Sequence, residues 1–454
     1  MAVRQDMGTG SIKKLMVQMA VPALVGQVIN LLYNIVDRIY IGHIPQIGGM
    51  ALTGVGLFTP ILMLITAFAM MAGSGGAPRA AIAMGRGDRD GAEKIMGNCF
   101  AVLMILAVVL TAMFYVTAPA LLRLFGASDA TLPYAVAYGR IYILGSIFVL
   151  TTMGLNVFIT TQGFAKISML TTVIGAVTNI VLDPILIFVF DLGVRGAAIA
   201  AVFSQAVSAL WILRFLTGNK TILKLKTANM TLIPAIILPC LGLGISSFIM
   251  VSTESFLSIS FTSSLARYGG DVAVGAMTVL TSINQLITMP LSGICQGGQP
   301  LISFNYGAKK LDRVKEAFFC VFGVCVAYTT IFWLLLMCFP NVFAGIFTSD
   351  ASIVSYTAWA IRVFLALGFS VGFQISCQQT FMALGQAKIS LIMALLRKVF
   401  LLIPLIFILP NFFADKAFAV YLAEPIADIV AAAVTTFMFF RFFIKLLREF
   451  KETK

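Results

Sequence analysis

Four polar residues interrupt apolar stretches of this chain, and their types suit the binding of a small cation. Asp37 stands 15 positions after Pro22, with Asn34 about one helical turn before it. Asn179 and Asp183 are four apart, which places an amide oxygen and a carboxylate on one helical face. An ionised carboxylate inside an apolar span is costly unless it is paired, hydrated or protonated. Together these groups make a small set of hard oxygen ligands suited to Na⁺, and the same carboxylates could instead share a proton. Pro184 follows Asp183 and leaves a backbone carbonyl one turn earlier without its donor, a further possible ligand. The competing reading for Asp37 is an ion pair with Arg38, but neighbours on one helix do not face each other. For Asn179 and Asp183 it is a packing pair at a proline kink.

A second set lies further along. Glu254 stands 15 positions after Pro239, as Asp37 does after Pro22. It suits contact with a cationic substrate or a role as a buried, hydrogen-bonded acid. Glu424 and Asp428 are four apart, and pairing with Arg397 or Lys398 is favoured over a free charge in a cavity. The stretch holding Gln374, Gln378 and Gln379 carries no acid, and Pro404 is preceded by Ile403 where Pro184 is preceded by Asp183. With 38 Phe, 11 Tyr and 22 Met, the chain has the flat rings and flexible sulfur of an adaptable apolar pocket. Tyr33, Glu254, Gln285, Met289 and Gln378 are the candidates to line it.

What must position these residues is a set of membrane helices. Of 454 residues 60% are hydrophobic and 11% charged, with a mean hydropathy of +1.00. A soluble protein of this size needs far more charge. A helix needs roughly 20 apolar residues to cross the bilayer. Twelve segments qualify, over 15–41, 50–76, 95–122, 133–161, 167–190 and 196–217, then 232–259, 272–299, 316–340, 352–383, 389–410 and 416–440. The net charge of +13 reflects topology, not nucleic acid. Most Lys and Arg, from Lys13, Lys14, Arg86 and Arg89 to Lys224, Lys310, Arg313 and Lys445, collect on one side when both termini are placed there. By the positive-inside rule that side is the cytoplasm. The expectation is a multi-pass monomer of the cytoplasmic (inner) membrane, its partners the lipid bilayer and small amphipathic molecules. Seven cysteines with no CxxC pair read as packing residues.

The chain also repeats itself. Gly75-Gly76-Ala77-Pro78 returns as Gly297-Gly298-Gln299-Pro300, and Ala165-Lys166-Ile167-Ser168 returns as Ala387-Lys388-Ile389-Ser390, both at an offset of 222. Six spans per half is an even number, so both halves start on the same side and form a parallel repeat. The fold class is therefore an all-α membrane protein of two six-helix bundles. Its divisions are an N-terminal bundle over 1–217, a cytoplasmic linker over 218–231 and a C-terminal bundle over 232–454.

Pro22, Asn34 and Asp37, the Gly-rich 73–78 stretch, Gln162-Gly163 before Lys166, and Asn179 to Pro184 together resemble the multidrug and toxic compound extrusion (MATE) transporters. The resemblance covers roughly residues 10 to 445. It implies a central cavity between two bundles and export of bulky, often cationic amphipathic compounds in exchange for Na⁺ or H⁺, with no cofactor. It also implies a cation site at Asp37, Asn179 and Asp183, through which occupancy would bend or shift the first helix. Some members add a threonine in the sixth helix. Here Gly196 to Ala201 holds no hydroxyl, which leaves Na⁺ and H⁺ both open. A lipid-linked precursor flippase of the same architecture is the alternative, and would call for buried cations to hold a pyrophosphate. An enzyme is disfavoured, because the one histidine, His43, has neither metal-ligand spacing nor a nucleophile beside it.

Overall fold

The computed structural model describes residues 7–347 and 351–452, and is helical throughout. Side chains are described for these except Ser255, Asp271, Phe347, 351–353 and 450–452. Of the terminal cations, Arg4 and Lys454 lie outside the described residues. The helices are α1 Ile12–Gly42, α2 Gly48–Gly85, α3 Arg89–Leu124, α4 Leu132–Leu144, α5 Ser146–Thr161, α6 Ala165–Val189 and α7 Gly193–Thr217. After a connecting segment come α8 Pro234–Gly270, α9 Val272–Gly307, α10 Leu311–Cys338, α11 Pro340–Phe347 and α12 Ala351–Phe364. The last three are α13 Ser370–Ala383, α14 Ala387–Asn411 and α15 Lys416–Glu452.

Among the described residues, 10 helices are long and apolar enough to cross a membrane, and 11 spans result if α4 and α5 count as one. The span expected over 133–161 is that pair, bent by 56° at Gly145, where a Cβ would lie 2.4 Å from Val202. The span expected over 352–383 is two short helices, α12 and α13, separated by turns between Leu365 and Phe369. The loop expected after 259 is absent. There α8 runs on to Gly270, whose φ of +66° turns the chain directly into α9.

Among the described residues two apolar cores form. One gathers α2 to α7, including Phe58, Leu103 and Phe158. The other gathers α9, α10 and α12 to α15, including Phe318, Phe381 and Phe439. The exceptions are informative. Ile12, Leu15, Met16 and Met19 at the start of α1 belong to the second core, while Ile237 and Cys240 at the start of α8 belong to the first. Each half therefore lends the beginning of its first helix to the other.

The crossings between halves are matched. A Cβ on Gly75 of α2 would lie 2.0 Å from the Cys240 carbonyl of α8, and one on Gly297 of α9 would lie 2.5 Å from Ala20 of α1. Ser74 donates to Ser247 at 2.8 Å in the first crossing, and Gln27 donates to Gln296 at 3.4 Å in the second. Where α2 meets α9, a Cβ on Gly85 would strike the Phe304 carbonyl and one on Gly307 the Ile82 carbonyl, each at 2.0 Å. Gly85 and Gly307, like Ile82 and Phe304, are 222 positions apart. So are Gly163 and Gly385, which share a left-handed backbone, with φ of +87° and +72°.

Such backbone-to-backbone approach leaves no room for a methyl group. We expect Gly75→Ala to lower the thermal unfolding midpoint of the detergent-solubilised protein, an overpacking cost of about 1–3 kcal/mol. Gly242→Ala, at a position with nothing within 4 Å, should leave it unchanged.

Candidate functional site

The first-helix acid and the α6 pair meet. Asp37 and Asp183 hold their carboxyl groups within hydrogen-bonding reach of each other. Asn179 donates its amide to Asp183 Oδ1 at 3.3 Å. Asp183 and Asn179 are 0% and 1% exposed. Three oxygens in this group are buried with no hydrogen-bond donor: Asp37 Oδ1, Asn179 Oδ1 and Asp183 Oδ2. Immediately after Asp183, Pro184 interrupts the α-helical ladder, and Ile185–Val189 forms a π-helical turn. Asn34 does not join them. It is exposed, and its amide donates to the Asn30 carbonyl of its own helix at 2.6 Å. Arg38 is also exposed.

Tyr33 is half-buried one turn before Asp37, in the electrostatic reach of both acids. Two tyrosines not singled out in the sequence stand near it on α4. Tyr138 and Tyr142 are buried, stack at 5.9 Å and lie in the field of Asp37. Their i, i+4 spacing was the available signal, since it puts two phenols on one helical face.

The remaining candidates divide between a second cluster and the wall of α9. Lys398 of α14 donates from Nζ to the Met250 carbonyl at 2.6 Å and pairs with Glu254. Gln378 of α13, fully buried, donates to the Met250 sulfur at 3.2 Å and accepts from Gln374 at 3.4 Å. Next to Lys398, Arg397 points the other way and bridges Asp428 at 2.7 Å and Glu424 at 3.3 Å on α15. Gln285 is exposed and Met289 half-buried on α9. Among the described residues, neither hydrogen-bonds to the Glu254 cluster.

The segment between α7 and α8 is strapped to α3 and the α5–α6 turn. Gln162 Oε1 accepts from the backbone N–H groups of Ile222 and Leu223 and from the Thr221 hydroxyl, at 2.7 to 2.8 Å. Buried Glu93 accepts from the Lys224 N–H at 3.0 Å and pairs with Lys226. Asn98 holds the Asn229 carbonyl and the Ile233 N–H. On the other half, Asn305 and Arg313 donate to the Met7 carbonyl, Lys310 to that of Gly8, and Arg313 to that of Gly10.

Paired helical cores with buried acids hung between spans define a polytopic membrane transporter. The MatE family model matches the chain twice, over residues 22–185 and 245–408, with both boundaries displaced by 223 positions. The chain belongs to the MATE family of multidrug efflux transporters, which are not enzymes. It is 25% identical over 426 residues to the multidrug export protein MepA of Staphylococcus saprophyticus, covering 93% of each chain. It is also 25% identical over 438 residues to MepA of Staphylococcus aureus, again covering 93% of each. Among solved structures it resembles a MATE in the bent conformation, with a TM-score of 0.90 and 24% identity over 97% of this chain and 98% of that one. An outward-facing multidrug resistance MATE transporter of the MOP superfamily gives 0.89 and 24%, over 98% and 99%. A MOP superfamily transporter from Pyrococcus furiosus gives 0.89 and 24%, over 97% and 98%.

Proposed function

We propose that the chain is a cation-coupled antiporter that exports bulky, often cationic amphipathic compounds across the cytoplasmic membrane in exchange for Na⁺ or H⁺. The observation that carries this is the contact between Asp37 and Asp183 with three donorless buried oxygens around it. Ionised carboxylates only accept hydrogen bonds. Two of them in contact require a proton or a metal cation between them, and repel when it leaves. Because one acid is on α1 and the other on α6, the occupant ties the two helices together. Its departure frees the outer part of α1, which changes the neighbouring cavity. Affinity for the exported compound then depends on cation occupancy, and the dependence is reciprocal.

The donor set fits H⁺ or Na⁺. Asp37, Asp183 and the Asn179 amide supply oxygens alone, and no group of three or more His, Cys, Asp or Glu side chains suited to a metal occurs among the described residues. We count α12 with α13 as the twelfth span, which gives two six-helix bundles over 1–217 and 232–454 in parallel repeat, joined by the 218–231 linker. Both termini then face the cytoplasm, and the unit acts as a monomer by alternating access. The matched crossings and the doubled family match support that symmetry. Tyr33, Glu254, Gln285, Met289 and Gln378 are proposed to line the cavity. The flippase alternative gains no support from Arg397 and Lys398, which are already bound to carboxylates.

Proteoliposomes with one imposed gradient at a time test the reading. We expect a pH or a Na⁺ gradient alone to drive uphill movement of a cationic dye. Dye movement indifferent to both gradients would overturn it.

A further inference from the structure

We propose that Lys398 is a tethered cation, which permanently fills in the second half the place that an exchangeable cation fills in the first. The proposal rests on the reading of Asp37 and Asp183 as the exchangeable site.

The argument is positional. Asp37 is 15 residues beyond Pro22 on α1, and Glu254 is 15 beyond Pro239 on α8. Asp37 reaches across to α6, the helix of Pro184, and Glu254 reaches across to α14, the helix of Pro404. The same pair of helices is thus bridged in each half. In the first half the bridge is acid to acid, which needs an added positive charge. In the second, α14 supplies the charge itself, as the ammonium of Lys398.

The surroundings are built to hold that ammonium still. Lys398 sits in a π-helical turn, Leu396–Leu402, and its side chain is 5% exposed. The π-turn lets adjacent residues serve different helices, Arg397 facing α15 and Lys398 facing α8. Arg397 occupies Glu424 and Asp428, so neither competes for Lys398. The Met250 carbonyl takes a second of its N–H groups. Glu254, by contrast, is 57% exposed. A carboxylate that open inside a span must face a wet cavity rather than lipid. Without Lys398 it would be an accessible anionic site for a solution cation. Coupling in this chain is therefore confined to the first half, and the second half cycles without an ion of its own.

Cation binding counted directly on the purified protein provides the test, with radioactive Na⁺ and proton uptake as the probes. On an Asp37→Asn background, we expect Lys398→Met to add one bound cation per chain, and Glu254→Gln to remove it again. In proteoliposomes, Lys398→Met alone should raise the ion-to-substrate ratio by one, while Lys398→Met with Glu254→Gln should keep the wild-type ratio. Lys398→Gln, which keeps a donor for the Met250 carbonyl, replaces Lys398→Met if the latter does not fold. No added cation, or one that persists without Glu254, overturns the proposal. If Asp37→Asn itself removes no bound cation, the first-half reading fails instead, and the comparison with and without Lys398 still stands.

Discussion

Asp37→Asn should abolish gradient-driven export while leaving the protein as stable as the parent, or more so. Asparagine has the shape of aspartate but brings an N–H donor to the atom group that faces Asp183, where Asp183 Oδ2 has none. The substituted pair satisfies itself without a cation, so the lock between α1 and α6 closes permanently. Coupling free energies between two ligands are typically about 1–3 kcal/mol, or 5- to 150-fold in affinity. Dye affinity in the parent should shift by a factor in that range when the coupling cation is added. In the variant it should not shift, and concentrative efflux from vesicles should fall to the leak rate. Full efflux from Asp37→Asn would sink the mechanism. A loss of efflux accompanied by unfolding would assign Asp37 a structural part instead.

Arg397→Met should be among the most damaging substitutions to stability. Arg397 lies between Glu424 and Asp428, and all three side chains are largely buried. Removing one partner of a buried ion pair costs about 3–5 kcal/mol, because the remaining charge keeps its desolvation penalty. Here two carboxylates four residues apart on α15 would be left facing each other. Replacing all three charges together, by Arg397→Met with Glu424→Gln and Asp428→Asn, should recover most of the loss, since neutral replacements of buried ionic groups are often tolerated. Detergent-phase thermal unfolding of the two proteins checks this. A midpoint of Arg397→Met equal to that of the parent would show that the triad carries little of the stability of the second half.

Some of this was legible in the residues alone. The α1 and α6 acids declared themselves because charge is conspicuous in an apolar span, and helical spacing put Asn179 with Asp183. Favouring Arg397 or Lys398 as the partner for Glu424 and Asp428 needed only the scarcity of other cations nearby, and Arg397 is the one that reaches them. Tyr138 and Tyr142 escaped notice because a tyrosine is unremarkable among 38 Phe and 11 Tyr. Only the fold brings these two phenols into the field of Asp37. Span boundaries failed where hydropathy has no vote. The bend at Gly145 and the break between Leu365 and Phe369 cost no apolar residues, and Gly270 replaced a loop with one residue of unusual backbone. The pairing of Glu254 with Lys398 depended on which way a π-turn points a side chain.

The leading segments of the two halves are exchanged, Met7 to Gly10 held by Asn305, Lys310 and Arg313, and the stretch before α8 held by Glu93, Asn98 and Gln162. In a pair of identical subunits the same arrangement would be called an arm swap, the low-cost route by which one fold becomes an obligate dimer. One half of this kind has nowhere to lay its own arm, and its first helix would begin with apolar side chains bare until a second half arrived. Fusing the two into one chain turns a concentration-dependent embrace into an intramolecular one. The stretch between α7 and α8 is then tether and arm at once, and shortening it would unseat the grip rather than merely draw the halves closer.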